Sequence, residues 1–164
     1  MSVKTLKKIG VLVSGGGTNF QSLIDTIHHK YGEIAVVISN NRQAFGLERG
    51  RAAGIPAVAV NPKGYPSKEA FDQKIIEILR GYEVDLVVLA GYMKIITPGF
   101  VEAYPNAIIN IHPALIPSFC GAGFYGMHVH QAVIDYGVKV TGATVHFVNE
   151  VADGGPVIMQ ETVA

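Results

Sequence analysis

An α/β fold, a mostly parallel sheet flanked by helices, is what the sequence predicts, on three observations. Apolar runs such as Ile9-Gly10-Val11-Leu12-Val13 and Leu86-Val87-Val88-Leu89-Ala90 show no alternation, as befits strands covered on both faces. Segments with apolar residues at helical spacing separate these runs, and such alternation of strand and helix favours parallel pairing. A glycine-rich turn, Ser14-Gly15-Gly16-Gly17-Thr18-Asn19, joins the first strand to the first helix.

Lys8 to Ser14 reads as the first strand. Phe20, Leu23, Ile24 and Ile27 then recur at helical spacing, with Thr18 or Asn19 as the expected cap. Ile34 to Ser39 reads as a strand, Gly46 to Ala53 as a helix and Ala57 to Val60 as a short strand. Ser67 to Gly81 reads as a helix capped by Ser67, with Phe71, Ile75, Ile78 and Leu79 facing inward. A strand from Asp85 to Ala90, a short helix from Pro98 to Ala103 and a strand from Ala107 to Ile111 follow. A helix over Val129 to Tyr136 and closing strands over Val140 to Val148 and Val157 to Thr162 complete the pattern. No repeat, low-complexity tract or linker interrupts it, so residues 1–164 read as one domain.

Thirteen basic and thirteen acidic side chains balance, which argues against a nucleic-acid partner and for small-molecule substrates. Cys120, the only cysteine, cannot form an internal disulfide. The opening residues read as neither a secretory signal nor a membrane span, so the expected location is the cytoplasm, with no membrane partner. Nothing in the sequence encodes the oligomeric state.

In parallel sheets, ligands gather beyond the carboxyl ends of the strands. Ser14, Gly91 and His112 all fall at predicted strand ends, so three separated segments are expected to converge on one edge. The glycine turn there either only tightens a strand-to-helix junction or holds an anion. Glycines let a ligand approach the backbone closely, and a helix amino terminus offers unpaired amides. A dinucleotide site would want a glycine where Phe20 stands and an acid where the second strand ends in Ser39-Asn40-Asn41. A lone phosphate, as in a mononucleotide, fits better.

Asn110 and His112, two apart on extended backbone, point to the same side, so an amide and an imidazole can address one substrate atom. Such a pair suits an oxyanion formed when an amine attacks an acyl carbon. Asp153, in Asp-Gly-Gly-Pro, is a turn residue and also a carboxylate able to orient His112, raise its pKa and move the amine's proton. Alone, His112 reads equally well as a structural histidine. Cys120 with His112 and Asn110 superficially offers a cysteine-protease set, but no helix amino terminus lies beside the cysteine. His128 and His130, with His112 or His146, lack the cysteine or carboxylate spacing of a metal centre, and no metal is expected. His28-His29 reads as a solvated helix end.

With those residues in view, the chain resembles the folate-dependent formyltransferases, and among them the glycinamide ribonucleotide formyltransferases. The resemblance rests on Val13 to Gln21, Ala44 to Arg49 (Ala-Phe-Gly-Leu-Glu-Arg), Leu89 to Ile96, Asn110 to Pro113 and Asp153 to Ile158, in the family's order over nearly the whole chain. It implies a Rossmann-like formyltransferase fold. It also implies transfer of a formyl group from 10-formyltetrahydrofolate to the amine of glycinamide ribonucleotide in de novo purine (IMP) biosynthesis, by direct attack with a tetrahedral intermediate and no covalent enzyme intermediate. Asn110, His112 and Asp153 fall on the family's catalytic trio. Gly16, Gly17, Thr18 and Asn19 fall on its ribonucleotide phosphate turn, with Lys68, where arginine is common, reaching the same substrate. Met93, Lys94, Ile95 and Ile96 border the folate, together with Asn110 and a loop of Val151, Ala152 and Asp153.

Two departures accompany the resemblance. The stretch Ser118 to Met127 is longer than in many relatives, and its glycines suggest a mobile flap. The family also continues beyond the position of Ala164, so the domain reads as truncated at its carboxyl end, and the resemblance implies that part of the ribonucleotide site lies in the missing segment. Methionyl-tRNA formyltransferase and formyltetrahydrofolate hydrolase share the trio, but the neutral charge and short length disfavour both. A noncatalytic folate or nucleotide binder would not need the trio at all.

Overall fold

A computed structural model describes residues 6–163, which form a seven-stranded sheet and five α-helices among the described residues. The opening residues, on which the expectation about a leader bears, and Ala164 lie outside them. In chain order the elements are β1 (Lys7–Val13), α1 (Thr18–Thr26), β2 (Gly32–Ser39), α2 (Phe45–Ala52), β3 (Ala57–Ala59), α3 (Lys68–Gly81), β4 (Leu86–Leu89), α4 (Pro98–Ala103), β5 (Ile108–His112), α5 (Met127–Tyr136), β6 (Thr141–Phe147) and β7 (Val157–Val163). Among the described residues no helix is long and apolar enough to cross a membrane.

The sheet order is β3-β2-β1-β4-β5-β6-β7. The first five strands are parallel, while β6 runs antiparallel to both β5 and β7. Alternation along the inner strands splits the core in two. Leu12, Val36, Ile38 and Leu89 pack with Phe71, Ile75 and Leu79 of α3 and Phe100 of α4. Val11, Val13, Val37 and Val88 pack with Phe20 of α1 and Leu47 of α2. Side chains of period two on strands sandwiched between helices produce these two layers, which is why the strand runs look uniformly apolar.

From β1 the chain moves outward through β2 and β3, then crosses back to lay β4 on the other side of β1. The crevice at this reversal is where ligands gather in such sheets. Ser14 and Gly91 meet there, the Ser14 N–H donating to the Gly91 carbonyl at 3.1 Å. Ser67 caps α3 as read, its hydroxyl accepting from the Ala70 N–H at 3.1 Å. The cap of α1 differs from the expected Thr18 or Asn19. It is Gly17, with no side-chain cap, in a left-handed conformation (φ 70°). A Cβ there would lie 2.7 Å from Cα of Gly46, so close packing of the turn on α2 decides the residue. Helix α5 begins at Met127, two residues before the sequence reading placed it, and all seven residues of β7 are exposed at the sheet's edge.

Candidate active site

The glycine turn lines a cleft of about 260 Å³ with Ser14 to Asn19, Ala90, Gly91 and Met93. Its floor is cross-braced: the Ser14 hydroxyl donates to Asn40 Oδ1 at 2.5 Å and accepts from the Met93 N–H at 2.8 Å. Its back is held by α2. The Gly46 N–H donates to the Gly15 carbonyl at 3.0 Å, and Arg49 Nε donates to the Gly16 carbonyl at 2.8 Å. Arg49 also donates to Gln21 Oε1 at 3.0 Å and lies over the Phe45 ring at 5.0 Å. Thr18 and Asn19 stay exposed at the start of α1, while Lys68, exposed in the first turn of α3, is not among the residues lining this cleft.

His112 is the last residue of β5 and Asn110 lies two before it. The antiparallel register with β6 sets Asn110 opposite His146 and His112 opposite Thr144. Thr144, fully buried, donates to the Ala114 carbonyl at 2.7 Å and accepts from the Ile116 N–H at 3.1 Å, fixing the chain's exit after His112. Asp153 enters from the turn between β6 and β7 at φ 54°. That turn needs Gly155, where a Cβ would fall 1.7 Å from the Phe147 carbonyl oxygen.

The side chains meet around the Asp153 carboxylate. Its Oδ2 lies 3.6 Å from His112 Nδ1 and accepts from the Gly121 N–H at 2.8 Å. Its Oδ1 lies 3.7 Å from His146 Nε2. Nε2 of His146 is 3.1 Å from Asn110 Nδ2, and Nδ1 donates to the Phe147 carbonyl at 2.8 Å. Asp153 thus lies between His112 and His146, and His146, buried to 1% exposure, links the carboxylate to Asn110. Burial would raise the Asp153 carboxyl, but His146, the Gly121 amide and His112 together hold it below its ordinary value. Burial would lower His146, yet Asp153 and the Phe147 carbonyl outweigh it and raise the imidazole.

Sequence reasoning did not assign His146 a place in this group, because its link to Asn110 exists only across the β5–β6 register. A signal was available: Asn110 and His146 lie on strands that pair if the closing segment turns back antiparallel.

The stretch from Ser118 to Met127 reaches both His112 and Asp153. The Phe119 carbonyl accepts from His112 Nε2 at 2.7 Å, and Phe119 itself sits at φ 49°, its ring edge-on to Phe124 and Tyr136. Cys120 between them directs its thiol to the Pro117 carbonyl at 3.3 Å. Burial, and then Asp153, raise the thiol's pKa, the opposite of what a nucleophilic cysteine requires. His128 packs edge-on against the Tyr125 ring. Among the described residues no cluster of three or more His, Cys, Asp or Glu side chains forms a metal-ion cage.

Past β4, Met93 and Ile95 expose 51% and 65% of their surface, and Val151 exposes 65% beside Asp153. Lys94 is exposed, and Ile96 packs partly on the core with Tyr92. The end of this segment is anchored by Asp72, 3% exposed, whose Oδ2 accepts from the Thr97 N–H at 2.7 Å. A larger depression of about 350 Å³ lies around Lys8, Glu33 and Glu83, at the amino-terminal ends of the strands, away from the convergent loops. There His28 is not simply solvated: its Nδ1 accepts from the Ile34 N–H at 3.0 Å and its ring stacks on His29 at 3.7 Å.

A protein-family model described as formyl transferase matches residues 7–164. The chain is 43% identical over 160 residues to phosphoribosylglycinamide formyltransferase of Haemophilus influenzae, covering 96% of this chain and 73% of that protein. It is 42% identical over 161 residues to the chloroplastic phosphoribosylglycinamide formyltransferase of Arabidopsis thaliana, covering 96% of this chain and 55% of that one. It is 43% identical over 158 residues to the trifunctional purine biosynthetic protein adenosine-3 of Bos taurus, covering 95% of this chain and 15% of that one. The chain therefore spans about half of the plant relative and a small part of the bovine one. Among solved structures, glycinamide ribonucleotide transformylase 1 of Symbiobacterium toebii superposes with a TM-score of 0.90 at 46% identity, over 96% of this chain and 73% of that chain. Phosphoribosylglycinamide formyltransferase of Bacillus halodurans gives 0.89 at 39% identity, over 96% and 80%. With the family model matched over residues 7–164 and relatives above 40% identity covered to more than two thirds of their length, the chain belongs to the formyl transferase family.

Proposed function

We propose that this chain transfers a formyl group from 10-formyltetrahydrofolate to the amine of glycinamide ribonucleotide, the step that its relatives' names assign to purine biosynthesis. One observation carries the reading: His112 faces Asp153, and His146 links that carboxylate to Asn110, past the carboxyl end of β5 on the same sheet edge as the braced glycine turn.

The turn residues Gly16, Gly17, Thr18 and Asn19 hold the acceptor's phosphate through backbone amides at the start of α1, and Lys68 adds charge from α3. The exposed apolar side chains of Met93 and Ile95, with Lys94 and Ile96, face the folate from one side. Val151 and Ala152 close on it from the other. Asn110 lies between these two sites and donates its amide to the oxygen that becomes negative as the amine attacks. Asp153, kept ionised by its neighbours, takes the proton that the amine loses. His112 donates from Nε2 to the same oxygen, but Nε2 is engaged with the Phe119 carbonyl in the free protein. Productive binding therefore moves the Phe119 segment and hands that hydrogen to the substrate.

The test is release of tetrahydrofolate by the full-length protein, followed by absorbance with and without glycinamide ribonucleotide. Release only in the presence of the acceptor supports the reading, and release that ignores the acceptor points to a hydrolase. In parallel, His112→Ala and Asp153→Asn keep the fold and lose transfer, so near-normal turnover in either would overturn the proposed roles.

A further inference from the structure

We propose that His146 is a positioning residue whose proton decides which end of the Asn110 amide faces the reacting carbonyl. The inference rests on the formyl-transfer reading and concerns the same site.

Asn110 and His146 are directly opposed on β5 and β6. Nδ1 of His146 faces the Phe147 carbonyl at 2.8 Å, and a carbonyl only accepts, so Nδ1 carries hydrogen in either protonation state. Nε2 is then the only ring position whose proton varies, and it faces Asn110 Nδ2 at 3.1 Å. In the neutral imidazole Nε2 is an acceptor, which matches the Asn110 NH2 group. The amide is thereby held with its donors toward His146 on β6 and its oxygen turned the other way. That orientation is wrong for stabilising an oxyanion, because it presents an acceptor to developing negative charge.

Protonation reverses the match. An Nε2–H cannot face an NH2 group, so the amide turns, Oδ1 accepts from Nε2–H, and the freed donors point to the substrate. His146 is 1% exposed, so solvent does not stand in for either partner. The charged or titratable groups facing it are few. Asp153 lies on the turn between β6 and β7 with Oδ1 at 3.7 Å; His112 on β5 lies against the other oxygen of that carboxylate; Cys120 approaches Asp153 from the 118–127 stretch; and β7 sets only Val157 opposite it. The carboxylate favours the protonated, productive state, in line with the raised pKa of the imidazole.

The experiment uses the full-length protein labelled with 15N-asparagine, the Asn110 side-chain resonances being identified by their loss in Asn110→Ala. Those resonances are expected to shift with pH through a single titration in the wild type and to stay constant in His146→Gln, whose NH2 group donates to Asn110 Oδ1 without titrating. In turnover, kcat of the wild type falls as pH rises through that titration. His146→Ala lowers kcat by about a hundredfold with KM little changed, the lower end of what loss of one oxyanion donor costs. His146→Gln restores most of it and abolishes that alkaline fall. Asn110 resonances that do not titrate in the wild type, or a His146→Ala variant within about twofold of wild-type kcat across the range, overturn the inference. A wild type that transfers no formyl group removes the functional reading instead, and the resonances still decide the coupling.

Discussion

Replacing Thr144 by valine keeps the shape of a fully buried side chain and deletes one hydroxyl. That hydroxyl donates to the buried Ala114 carbonyl at 2.7 Å and accepts from the Ile116 N–H at 3.1 Å and Gln160 Nε2 at 3.0 Å. Gln160 is exposed and turns to water, so its loss costs little. The Ala114 carbonyl, left without this donor, costs about 1–3 kcal/mol, and the part-buried Ile116 amide adds about 1 kcal/mol. The variant should thus lose about 2–4 kcal/mol, a large share of a typical domain's stability. With a urea m-value of about 2 kcal/mol/M, the midpoint falls by about 1–2 M with m unchanged. Thr144→Ser provides the control, since it keeps the hydroxyl and gives up only a methyl group worth about 1 kcal/mol. Apolar burial alone ranks valine above serine, whereas the hydrogen bonds rank serine above valine. A valine variant as stable as the serine one, measured by urea unfolding followed by circular dichroism, refutes the reasoning. Because this hydroxyl fixes the chain just past His112, the valine variant should also lose kcat where the serine variant keeps it.

Gly155→Ala places a Cβ on the Phe147 carbonyl oxygen and forces the Asp153 turn away from β6; we expect about 1–3 kcal/mol of destabilisation together with loss of transfer, read by thermal unfolding and tetrahydrofolate release. The His146–Asp153 pair gives stability a signed pH dependence. The raised imidazole stabilises fully below its ordinary 6.5 and loses that contribution as pH rises through its higher folded value, while the lowered carboxyl stabilises above its ordinary 3.8 and loses it as pH falls through its lower one. The stability gap between wild type and Asp153→Asn is therefore widest between those two values and narrows at alkaline pH, and a gap that widens there contradicts the assignment. Cys120 should react slowly with iodoacetamide at neutral pH and faster in Asp153→Asn, where one of the two causes of its raised pKa is gone.

The strands and most helices were legible because burial on both faces and helical periodicity leave separate marks in a sequence. The Ser67 cap was legible for the same kind of reason, a local one. What escaped was set by approach between distant segments. Thr18 and Asn19 are good caps by residue type, yet the close packing of Gly17 on Gly46 decided the turn. His146 looked like one more stray histidine until the reversed strand placed it against Asn110. The sequence read His112 as able to address a substrate atom or as structural, and a carbonyl in the 118–127 stretch, invisible to any side-chain pattern, holds its Nε2. Lys68 was attached to the phosphate turn by resemblance alone, and its position on α3 leaves it outside the cleft's lining.

The brace between α2 and the glycine turn has a consequence for how this site tolerates change. Gly46, Arg49 and Gly17 each hold the others in place, so they behave as one mutational unit, and changes to them will not add. A substitution at Gly46, which lies outside the cleft's lining, will read in kinetics like a lesion in the proposed acceptor site, and a second lesion at Gly17 will cost little more. Any attempt to recut this turn for a different acceptor must therefore begin on α2.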